Sequence, residues 1–132
     1  MAPRTLRSHQ ENILRRKDFT GPTTVAKDST VAPRIGGSAH FRRFIREEFT
    51  SEVRRHYRCP AETAIVGESL AGWFVVETFL LEPDLFRRYI AISPSLWWND
   101  DGQLHAAEYA QRHAGRSSRL PRLSARLVFS RQ

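Results

Sequence analysis

The stretch from Thr63 to Ile92 reads TAIVGESLAGWFVVETFLLEPDLFRRYIAI, and it limits the folds open to this chain more than any other segment. Thr63 to Val66 is short, apolar and rich in β-branched residues, and it stops at Gly67, as a buried strand does. Leu70 to Leu81 is apolar nearly all the way round, with Glu77 as its one charge, so it predicts a helix that belongs in an interior. Glu82-Pro83 ends that helix, because proline can neither donate to the ladder nor fit inside it. Tyr89 to Ile92 predicts a second buried strand, running into Ser93-Pro94. Two strands with apolar residues on both faces, joined through a helix, make a parallel, right-handed βαβ unit. The fold class expected is therefore α/β.

The rest of the chain is organised around that unit. Residues 1–37 carry two punctuation points, Gly21-Pro22 and Gly36-Gly37, and little periodicity, which predicts loop or extended structure. From Ala39 onward Phe41, Phe44, Ile45, Phe49, Val53 and Tyr57 recur at three- and four-residue spacing between arginines and glutamates. That pattern predicts an amphipathic helix, with Ser38 as its N-cap and an end before Pro60. Residues 38–114 are read as the core. A weaker helix is expected from about Gly102 to His113, and residues 115–132 form a basic tail in which Leu127-Val128-Phe129 could start a third strand.

At 132 residues, 40% hydrophobic and 27% charged, the chain has the size and composition of one ordinary soluble domain. No apolar run approaches the roughly 18–20 residues that span a bilayer, and the N-terminus lacks a secretory apolar region, so no membrane partner is expected. The single cysteine, Cys59, excludes an internal disulfide and suits a reducing cytoplasm. The net charge of +7 comes almost entirely from dispersed arginines, which alternate with Glu47, Glu48 and Glu52 in the first core helix. A nucleic-acid binder would instead gather its basic residues on one face with aromatics between them. No His/Cys/Asp cluster has metal-ligand spacing, and Gly36-Gly37 lacks the remainder of a phosphate loop, so neither metal nor cofactor is expected.

Gly67-Glu68-Ser69-Leu70-Ala71 can be read in two ways. Ser69 can cap the helix after it, its oxygen accepting a first-turn N–H. It can equally be a nucleophile on a sharp strand-to-helix turn. Three features favour the second reading. The motif falls between a buried strand and a buried helix, as a nucleophile elbow requires. Gly67, Ala71 and Gly72 are small, and a turn this tight leaves no room for larger side chains. The hydroxyl would also stand at the carboxyl end of a parallel strand, over a helix N-terminus that favours developing negative charge.

GESLAGWFVVETFL followed by FRRYIAISPSLWWND resembles the esterases of the α/β-hydrolase superfamily, the group that includes siderophore esterases of the enterobactin-hydrolysing type. GGSAHFRRFIREEF is similar to that family's helix before the elbow strand, and RRKDFTGPT to its short Arg-Asp-hydrophobic-Thr-Pro segment with a glycine inserted. The resemblance runs from about Arg16 to Asp101. It implies a partial α/β-hydrolase fold and a small-molecule ester substrate. It also implies Ser69 as nucleophile and the Leu70 backbone N–H as one oxyanion donor. The loop Ser93–Trp98, with Ser95, Trp97 and Trp98, would then lie along the rim. The two tryptophans can be a core plug or an aromatic wall for a ring-bearing acyl group.

In this family the acid and the histidine come after the serine on later loops. The histidines after Ser69 are His105 and His113, both in or near the weak helix, where solvated surface positions are the alternative. Asp100 and Asp101 read as helix-start or turn residues. His40 and His56 fall on the preceding helix, with surface roles. The resemblance places the second oxyanion donor upstream of Met1, so the chain is expected to be a shortened member. It would lack the base segment and turn over weakly, or persist as a non-catalytic remnant or basic binding module. Strands left unpaired at a sheet edge would invite self-association.

Overall fold

The computed structural model describes the backbone of residues 4–32 and 34–99, with side chains from residue 11 onward except that of residue 31. His105, His113, the helix expected over 102–113 and the strand expected at 127–129 lie outside the described residues.

The βαβ unit forms as expected. Strands β1 (Ala64–Glu68) and β2 (Arg88–Ile92) pair in parallel, Ala64 opposite Arg88 and Glu68 opposite Ile92. Helix α5 (Leu70–Leu81) connects them. Its lack of a polar face has a direct cause, because it has neighbours on several sides. Val75 packs on Tyr89 and Ala91 of β2. Phe74 meets the rings of Phe19 and Phe41, and Trp73 meets Ala32 and Trp98. The one charge, Glu77, accepts a 2.6 Å bond from the buried Arg42, which also bonds Glu82 at 3.2 Å and lies over the Phe74 ring. Pairing and hydrogen bonding make this burial of charge tolerable.

The strands depart from expectation in one respect. Among the described residues only one sheet face is covered. Tyr89 and Ala91 point under α5 and are buried, whereas Val66, Ile90 and Ile92 on the opposite face stay exposed, Val66 by 63%.

Residues 1–37 are a correction. They hold α1 (Arg4–Asp18) and the short α2 (Ala26–Val31), not loop throughout. Gly21-Pro22 and Gly36-Gly37 punctuate the ends of these helices, leaving room for helix between. Arg15, Arg16 and Lys17 in the last turn of α1 complement its dipole.

The expected amphipathic helix is present as one continuous run: α3 (Ser38–Phe44), a π-helical segment Ile45–Phe49 and α4 (Thr50–His56). Within it the Thr50 N–H reaches back five residues to the Ile45 carbonyl. The helix begins at Ser38, so Ser38 does not cap it. Gly37 holds the cap position, and the Ser38 N–H donates to the Thr20 carbonyl. Only part of the predicted apolar stripe is buried. Phe44, Phe49 and Tyr57 are exposed, and with Val53, Val66 and Phe86 most of them line an apolar groove of about 660 Å³ beside β1.

Candidate active site

The turn between β1 and α5 is built by exclusion of side chains. A Cβ on Gly67 would stand 2.6 Å from the Ala71 carbonyl carbon, and one on Gly72 would stand 3.1 Å from both the Ile92 carbonyl oxygen and the Pro94 Cα. With both positions bare, α5 starts directly above the ends of both strands. The chain then has one residue in which to reverse, and Ser69 takes φ 55°, ψ −119°. For a residue with a Cβ this geometry costs on the order of 1–3 kcal/mol and persists only where its surroundings hold it.

Three backbone bonds do that holding. The Ser69 N–H donates to the Ile92 carbonyl at 3.1 Å, and the Ser69 carbonyl accepts from Trp73 N–H at 3.0 Å and from Ser95 N–H at 3.1 Å. The hydroxyl takes no part. Ser69 occupies the N-cap position of α5, yet its side chain makes no capping bond. The residue is exposed, and its Oγ has the Ser95 Oγ at 3.4 Å, longer than a strong O–H···O bond. Capping therefore does not account for Ser69. Leu70, the first residue of α5, has an N–H with no intrahelical acceptor, at the positive end of the helix dipole.

The loop after β2 lies beside this turn, so Ser69 and Ser93–Trp98 share the carboxyl edge of the sheet. The loop is itself bent at both ends, with Ser93 at φ 41° and Asn99 at φ 56°. Ser95 and the two tryptophans do not all face outward. Ser95 is 5% exposed, its N–H bonds the Ser69 carbonyl and its Oγ is the side-chain oxygen beside the Ser69 hydroxyl. Trp98, 1% exposed, packs with Trp73 and Ala32, so the core-plug reading holds for it. Trp97 is 43% exposed and is the indole available at the rim. Consecutive loop residues point in different directions, and the sequence carried no signal for which would be inside.

His40 and His56 are remote from this constellation in their bonding. His40 Nδ1 faces Arg43 Nη2 at 3.5 Å, and His56 Nε2 pairs with Glu52 Oε1 at 2.7 Å, both on exposed helix surface. The apolar groove beside β1 does not count Ser69 among its lining residues.

Comparison with known proteins converges on one group. Residues 13–126 match the family described as "Putative esterase". The ferri-bacillibactin esterase BesA of Bacillus subtilis is 42% identical over 91 residues, which is 64% of this chain and 32% of that protein. The siderophore triacetylfusarinine C esterase of Aspergillus fumigatus is 32% identical over 93 residues, 69% of this chain and 30% of that protein. The siderophore hydrolase EstA of Aspergillus nidulans superposes with a TM-score of 0.74 at 30% identity, covering 84% of this chain and 40% of EstA. The chain thus spans about a third of the length of the curated relatives it matches. With its parallel βαβ core and strained serine turn, it belongs to the esterase family and carries part of an α/β-hydrolase fold.

Proposed function

We propose that Ser69 is the nucleophile of a carboxylic ester hydrolase whose substrates are siderophore-type esters. The observation that carries this reading is the Ser69 conformation: an exposed hydroxyl, uninvolved in capping, held at φ 55° above the N-terminus of α5. Strain of this kind has a use when it presents a nucleophile. The Ser69 Oγ would attack the ester carbonyl, and the Leu70 N–H would donate to the oxyanion that forms. Trp97 would lie against a ring-bearing acyl group. The relatives' names supply the substrate class, esters of iron-chelating molecules.

A serine hydroxyl needs a base within about 2.6–3.2 Å to become a good nucleophile. Neither His40 nor His56 serves, since each is engaged on the helix surface. His105 and His113 are the remaining candidates downstream. We therefore infer that this chain by itself is a weak catalyst, and place it in the cytoplasm on the strength of its one cysteine, Cys59. Among the described residues β1 pairs with β2 alone, and an unpaired edge beside the apolar groove makes self-association the expected state at high concentration.

The test is hydrolysis of 4-nitrophenyl acetate together with mass-spectrometric mapping of an alkyl fluorophosphonate adduct. The adduct is expected on Ser69 and absent from Ser69→Ala, with turnover only slightly above that variant. Labelling spread over other serines, with Ser69 spared, would sink the nucleophile assignment. Strong turnover abolished by Ser69→Ala would instead show that the base is present, and further loss in His105→Ala or His113→Ala would identify it.

A further inference from the structure

Asp28 stands in α2, far in sequence from the Ser69 turn, and is fully buried. Its Oδ2 accepts the Asn99 backbone N–H at 2.8 Å and the Thr23 hydroxyl at 2.8 Å, and the Thr23 Oγ1 also lies 2.9 Å from Asn99 Oδ1. Asp28 thereby ties the N-terminal segment to the far end of the loop after β2. Asn99 is one of the two positive-φ residues that bound this loop. The loop continues inward through Trp98 N–H to the Ser95 carbonyl at 3.2 Å, and from Ser95 N–H to the Ser69 carbonyl at 3.1 Å. Three hydrogen bonds, the first from Asn99, connect the buried carboxyl group through the loop to the serine turn.

Packing alone does not account for Asp28. A buried carboxyl group is costly, and its Oδ1 has no hydrogen-bond partner. A fully buried side chain kept only to fill space would be apolar. What an apolar residue could not do is accept the Asn99 N–H and hold the loop end in its left-handed bend.

We propose that Asp28 is a positioning residue: it latches the Ser93–Asn99 loop so that Ser95 and Trp97 are held against the Ser69 turn. Its consequence for ester hydrolysis rests on Ser69 being the nucleophile, but the latch itself does not. Without it the left-handed Asn99 bend loses its main restraint, and the loop is free to lift, carrying Ser95 off Ser69 and Trp97 off the rim.

Amide hydrogen exchange on the full chain separates the two. In Asp28→Ala, protection at Ser95 and Asn99 is expected to fall by about tenfold or more, the loss of one hydrogen bond to a carboxylate, with Val75 and Tyr89 little changed. Asp28→Asn keeps an acceptor oxygen and should restore most of the protection. Thr23→Val, which leaves the Asn99 bond, should fall between. Loss at Ser95 matched by equal loss at Val75 and Tyr89, or failure of Asp28→Asn to rescue, would overturn the latch. Ser69-dependent 4-nitrophenyl acetate hydrolysis is measured on the same variants. If the fluorophosphonate adduct spares Ser69, the nucleophile reading has failed, and the exchange pattern still decides the latch. If Ser69 is active, Asp28→Ala should lower its rate severalfold and Asp28→Asn should recover it; an unchanged rate despite lost protection would overturn the positioning role.

Discussion

β1 and β2 end side by side at the carboxyl edge of the sheet, and each is followed by a serine with positive φ, Ser69 at 55° and Ser93 at 41°. The two strands continue differently. After β1 the chain turns within one residue into a buried helix, and the turn is closed by backbone bonds and by two glycines with no space around them. After β2 the chain makes a loop of several residues whose far end is tied down by side chains, Asp28 and Thr23, from another part of the protein. One turn is locked by backbone groups, two of them from Ile92 and Ser95 of the neighbouring strand and loop. The other is held at its far end by side chains. A hydroxyl that must stay in one place is better carried by the first, and adaptable rim residues such as Trp97 by the second.

The largest expected effect comes from attacking the backbone-locked turn. Gly67→Val drives a side chain into the Ala71 carbonyl group, backbone that cannot step aside, and should cost about 3 kcal/mol or prevent folding. Urea unfolding followed by circular dichroism measures it, and a loss under about 1 kcal/mol would mean the turn is far looser than its geometry indicates. Next in size is relief of strain. Ser69→Gly should raise stability by roughly 1 kcal/mol while removing the hydroxyl, since glycine adopts positive φ without penalty. Ser93→Gly is the matched comparison, and an equal gain there would show that Ser69 holds no more strain than Ser93.

A third prediction uses the exposed face of the strands. Val66→Lys places a charge on the sheet face that is uncovered among the described residues, and should shift the chain toward monomer in sedimentation at high concentration. An unchanged distribution would leave that face out of any association. The smallest effect is confined to alkaline pH. Burial pushes the Tyr89 hydroxyl above the ordinary tyrosine range, with Phe86 N–H bonded to its oxygen and the Glu82 and Pro83 carbonyls each 3.0 Å away. Its folded-state value lies above the unfolded one, so its contribution is complete below about pH 10 and is lost as pH rises through the folded value. Urea midpoints from pH 8 to 11 should fall at the upper end, and Tyr89→Phe should flatten that decline.

The legible parts were those whose signal is local. Thr63–Val66, the apolar run from Leu70 and Tyr89–Ile92 each state their element through an apolar run of strand or helix length bounded by breakers, and Gly67, Ser69 and Gly72 mark the turn because few other residues could form it. The helices in residues 1–37 were not legible, since paired Gly/Pro punctuation shows where helices stop without showing that they exist between. The stripe Phe41 to Tyr57 predicted a helix correctly but not its burial. Arg42, not Phe49 or Tyr57, is the inward residue, because Glu77 of α5 is there to meet it.

By itself the amino-acid sequence determined the parallel βαβ unit, the helix before it and the serine on a sharp turn, because steric limits on φ and ψ and the spacing of apolar residues act within a few positions of the chain. Tertiary structure alone decided that Ser69 forgoes its cap, that Trp98 turns inward while Trp97 stays out, and that Asp28 reaches Asn99. Those outcomes depend on which distant groups arrive at hydrogen-bond distance, and that distance is set by packing between elements far apart in the chain.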